Sequence, residues 1–106
     1  MSLPQNTQAE KRLSSRAKLA KMMRVRPSEP RDKNFEDLPV SLNVSKQGIY
    51  FHSNRPEYYK GMRLFITFPF TFAHDPMNCE YLAEIVRVEK LPNGRLGVAV
   101  HLLTTV

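Results

Sequence analysis

The chain has 106 residues, 42% of them hydrophobic, with one cysteine and a formal net charge of +6. That size suits one domain with a modest core, and the apolar content argues against disorder. The lone Cys79 excludes an internal disulfide and fits a reducing, cytoplasmic setting. No apolar run nears the roughly 18 residues of a membrane-spanning helix, so no membrane insertion is expected.

The charge is placed unevenly. The first 26 residues hold seven basic residues and one acid, while the other 80 hold nine of each. A basic leader of this kind attracts anions, although a solvated tail has the same composition.

In chain order, residues 1–8 are polar. Thr7-Gln8-Ala9-Glu10 has the spacing of a helix capping box, and Leu13, Ala17 and Ala20 follow at helical intervals. Two readings of the leader therefore compete. One is a helix over 8–22, with Arg12 and Arg16 four apart on one face. The other is an extended arm leading into a strand near 19–26. Either way the expected division is a flexible basic arm over 1–18 and a folded domain over 19–106. Pro27 and Pro30 end regular structure, and 31–37 reads as a charged loop.

From there the pattern is β. Leu38, Val40, Leu42 and Val44 alternate with Pro39, Ser41, Asn43 and Ser45. That period of two predicts a strand with the apolar set in the core and Asn43 and Ser45 on the outward face. Lys46-Gln47-Gly48 predicts a tight turn, and 49–53 a returning strand with Ile49 and Phe51 in phase. A loop over 54–61 precedes a strand in which Met62, Leu64, Ile66, Phe68 and Phe70 alternate. After a loop over 71–78, residues 81–89 form a strand whose alternation slips between Ile85 and Val86, the mark of a bulge. Pro92-Asn93-Gly94 is a hairpin turn, and Leu96, Val98, Val100 and Leu102 run in phase to the end. Five or six short strands so closely joined pair antiparallel, and a small all-β barrel buries their faces and removes their edges.

Two motifs carry chemistry. Arg12-Leu13-Ser14-Ser15-Arg16 has RxxxR spacing, and Asn43-Val44-Ser45-Lys46-Gln47-Gly48 has NxSxxG spacing. Arginine presents a planar fork that grips phosphate or the O6/N7 edge of guanine, and its flat face stacks on bases. Asn43 offers an amide to a base edge, Ser45 a small hydroxyl, and Gly48 room for a tight turn or a close ligand. Taken alone, NxSxxG also describes an ordinary polar hairpin turn. Taken together and in this order, the motifs point to a ligand with phosphate and guanine groups.

Arg12 and Arg16, then Asn43, Ser45 and Gly48, resemble the two motifs of the PilZ domain. The resemblance extends from about Lys11 to Leu103 and includes the late hairpin around Asn93-Gly94. It implies a six-stranded antiparallel β-barrel that binds the bacterial second messenger cyclic di-GMP. It implies that Arg12 and Arg16 hold guanines and phosphates, and that Asn43, Ser45 and Gly48 form the barrel side of the site. Lys11, directly before the first arginine, is a further candidate contact. The expected output is a change in the arm that a downstream protein partner reads.

Nothing points to an enzyme. His52, His74 and His101 are scattered, Cys79 lacks metal-ligand spacing, and no phosphate loop or nucleophile motif is present. Two other readings remain. One is a basic barrel that binds single-stranded nucleic acid, which requires basic residues spread over one face. The other is a ligand-free adaptor of PilZ type that presents the 54–61 loop.

Overall fold

The computed structural model describes residues 21–71 and 78–106. The arm over 1–18 and the start of the barrel at 19 lie outside these residues, as do Lys11, Arg12 and Arg16. Six antiparallel strands make the domain: β1 (Arg24–Pro27), β2 (Ser41–Val44), β3 (Gly48–Ser53), β4 (Arg63–Thr67), β5 (Glu80–Lys90) and β6 (Leu96–Thr105). They form one sheet in the order β1-β4-β5-β6-β3-β2, with no helix among the described residues.

The two ends of this sheet meet. The amide of Ser41 donates to the carbonyl of Lys21 at 2.9 Å, and Met23 donates to Pro39 at 2.9 Å. Val25 and Asp37 exchange both amide bonds, at 2.8 and 3.0 Å. Residues 37–41 thus lie antiparallel against β1 as a seam, and few backbone groups are left as an open edge.

Alternation explains most of the core. Ile49 and Phe51 point inward from β3, Leu64 and Ile66 from β4, and Val98 and Val100 from β6, and all six are buried. Met23, Val25 and Met62 complete the layer. On β5, Ala83 and Ile85 are buried, the pairing shifts between Ile85 and Arg87, and Val88 again packs on the core. The slip seen in the sequence at Val86 is this bulge. Asn93-Gly94 turns as expected, with Gly94 at a φ of +83°.

The first alternating run behaves differently. Ser41 is fully buried, whereas Leu38, Val40 and Leu42 are exposed, which reverses the expected phase. The cause is a bulge. Ser41 faces Phe51 and Asn43 faces Tyr50, so Leu42 is an extra residue. Beyond it the phase is restored, and Val44, opposite Ile49, packs against the core. Asn43 does face outward, as the alternation predicts, but only because the bulge resets a phase that is inverted before it.

The other end of the barrel is closed by a buried polar knot. One oxygen of Asp37 accepts from Ser53 Oγ at 2.7 Å and from Tyr58 Oη at 2.8 Å. Burial, reinforced by Asp37, raises the Tyr58 hydroxyl pKa far above the usual phenol value. Tyr58 packs edge-on against Phe35 and Phe51, with ring centroids 5.4 and 5.6 Å apart. Arg55 lies 4.4 Å over Phe35 and forks onto Glu57 at 3.2 and 3.1 Å. The 54–61 loop is therefore anchored through its middle.

Candidate functional site

The β2–β3 turn is built by its own residues. The amide of Ser45 donates to the Gly48 carbonyl at 2.9 Å. Its hydroxyl oxygen accepts from the amides of Gln47 and Gly48 at 3.3 and 3.2 Å. A hydroxyl folded back on its own turn is a common way to stabilise a two-residue connection. Gly48 has a second constraint. A Cβ there would sit 2.5 Å from the Val100 carbonyl oxygen, so β3 approaches β6 at a distance that only glycine permits.

Beside this turn lies an open cleft of about 460 Å³, lined by Asn43, Ser45, Gly48, Tyr50 and Arg87 over a floor that includes Ala99 and Val100. That volume falls within the range of small-molecule sites. The structure thus brings the three residues of the second motif to one place. Asn43 Oδ1 is buried without a hydrogen-bond partner. Such an orphan acceptor is costly unless something fills it.

The far wall is aromatic and charged. Tyr50 donates to Glu89 Oε2 at 2.7 Å, and His52 Nε2 lies 3.2 Å from the same hydroxyl. Arg87 stands 5.8 Å over the Tyr50 ring, with its Nε 3.7 Å from Glu89 Oε1. Burial first, then the hydrogen bond to Glu89, raises the Tyr50 pKa, while Arg87 opposes the rise. The phenol stays neutral and is held as a flat wall with a cation above it. Such a pair can stack and charge-match a planar anionic ligand.

Tyr50 and Arg87 are absent from the two motifs. Tyr50 was legible as an outward residue, because it alternates with buried Ile49 and Phe51. Arg87 was not, because its direction depends on the β5 bulge. Gly97, a lone glycine inside a strand, carried a usable signal of close approach. Among the described residues no three of His, Cys, Asp and Glu gather to hold a metal ion.

Three arginines elsewhere on the sheet are paired. Arg24 bonds Glu36, Arg26 reaches Glu80 at 2.6 Å, and Arg63 lies 3.8 Å from Glu84. No helix of the described residues is long and apolar enough to cross a membrane.

No family model matches the chain, and no curated protein matches it. Its fold is similar to that of the Bacillus subtilis inhibitor of motility (MotI/DgrA), with a TM-score of 0.60 at 16% identity. The match covers 87% of this chain and 42% of that one, so the chain spans less than half of its structural neighbour's length. The likeness is one of fold.

Proposed function

We propose that this domain is a receptor for cyclic di-GMP, which it holds between the basic leader and the β2–β3 cleft. The observation that carries the reading is convergence. Asn43, Ser45 and Gly48 share one cleft with Tyr50 and Arg87. A guanine edge supplies N–H donors, and its ring suits the Tyr50–Arg87 wall.

The seam adds a second support. It is antiparallel, so the chain upstream of Lys21 leaves β1 toward the Asn43 end. Asn43 lies two residues past Ser41, about 7 Å along the strand. Arg16 precedes Lys21 by five residues, a reach of up to about 17 Å. Arg12 and Arg16 can therefore close over the cleft, with Lys11 beside them. Ordering that arm would convert occupancy into a surface that a protein partner reads. The structural neighbour is named an inhibitor of motility, and we infer for this chain an output of that regulatory kind rather than catalysis. Paired outer arginines weigh against a nucleic-acid face.

Calorimetric titration with cyclic di-GMP, GTP and a short oligonucleotide tests the reading. Saturable binding of cyclic di-GMP alone is expected. Binding of the oligonucleotide in preference, or of nothing, would overturn it.

A further inference from the structure

Leu38, Val40 and Leu42 are 37%, 46% and 39% exposed, and Met22, bridged to Val40, is 38% exposed. These four side chains form one outward patch along the seam. Folding does not require it, because the core is complete beneath it and Ser41 fills the inward position. Contiguous apolar patches on a small domain commonly mark a contact.

We propose that this patch is the docking site of the chain's own leader, seated as an amphipathic helix with Leu13, Ala17 and Ala20 against the seam. The leader is attached where the patch lies. Lys21 is bonded to Ser41 through both its carbonyl and its amide, at 2.9 and 3.2 Å, and Ser41 stands between Val40 and Leu42. Twenty residues precede that point, with a capping box at Thr7–Glu10 and the apolar spacing of one helix face. The dimensions agree. From Leu13 to Ala20 a helix advances about 10 Å, and from Leu38 to Leu42 an extended chain runs about 13 Å. A separate protein needs roughly 800 Å² on each side for a stable interface, more than four partly exposed side chains offer. A tethered segment needs far less, because its effective concentration reaches the millimolar range.

The inference concerns the ligand-free chain and its readout uses no nucleotide, so it can fail separately from the cyclic di-GMP reading.

The chain contains no tryptophan, so Leu13→Trp places a single reporter on the proposed helix face. Its emission in the ligand-free protein should be blue-shifted relative to the same chain in denaturant. Adding Val40→Asp and Leu42→Asp should return it to the solvent-exposed value, as should Ala17→Asp, which leaves the barrel untouched. Sedimentation of each variant identifies the occupant. An unshifted reporter in a monomer, or a shift that survives the seam and leader substitutions, would overturn the proposal. So would a dimer that dissolves on Val40→Asp, which would assign the patch to a second copy.

Discussion

Gly97 on β6 lies directly under the hydroxyl end of Tyr50 on β3: a Cβ at Gly97 would sit 2.2 Å from the phenolic oxygen. The glycine lets the ring lie flat across the sheet, where Glu89 holds it and Arg87 covers it.

Gly97→Ala and Gly48→Ala should therefore behave differently. At Gly97 the obstructions are two side chains, the Tyr50 hydroxyl and Glu89 at 3.0 Å, and both can swing away. We expect nearly unchanged stability and weakened cyclic di-GMP binding. At Gly48 the obstruction is the Val100 carbonyl, which cannot leave the ladder, so a loss of about 1–3 kcal/mol is expected. Denaturant unfolding alongside calorimetry separates the two, and equal stability losses would contradict the account.

Asn43→Leu should trade function for stability. It removes a buried acceptor that has no partner, so the free barrel should be as stable as wild type or slightly more so. Ligand affinity should fall. Asn43→Asp should retain or tighten binding, because a carboxylate accepts guanine N–H donors more strongly. Leucine binding as well as asparagine would remove Asn43 from the site.

Arg12→Ala and Arg16→Ala should each cost about 1.5–3 kcal/mol of ligand affinity, roughly ten- to a hundredfold, with the barrel intact. Arg87→Ala should cost less, up to about tenfold, because that guanidinium is already shared with Glu89. Arg87→Lys should not restore binding if stacking on the ring matters. Titrations on the four variants check this, and wild-type affinity in both leader variants would remove the leader from the site.

Tyr58→Phe leaves Asp37 with only its Ser53 bond and should destabilise the barrel by about 1.5–3 kcal/mol near neutral pH. The folded protein holds the Tyr58 pKa above its ordinary 10.0, chiefly by burial. The associated stability is therefore complete below pH 10.0 and is lost as pH rises beyond it. The gap between wild type and Tyr58→Phe should narrow in that alkaline range. Unfolding curves from pH 7 to 11 would show it, and a constant gap would mean that the hydroxyl ionises as in the unfolded chain.

Most strands were legible because their inward residues alternate without interruption, as Ile49 and Phe51 or Val98 and Val100 do. The segment from Leu38 to Val44 misleads for a definite reason. Its apolar alternation is regular in sequence, yet the bulge at Leu42 and the seam at 37–41 turn the first half outside in. A single extra residue shifts a strand's facing, and no local residue type announces it. The second motif could be read as a turn beside a cleft, but the Tyr50–Arg87 wall needs the pairing of β3, β5 and β6, which is non-local.

The serine and glycine of the NxSxxG motif each have a task in folding: Ser45 ties its own turn, and Gly48 admits the Val100 carbonyl. Both would persist in a descendant that had lost its ligand. A chain carrying only that pair would look like a receptor and could be an empty shell. On the proposed reading, the positions that would separate a working receptor from a relic are Asn43 and the two leader arginines.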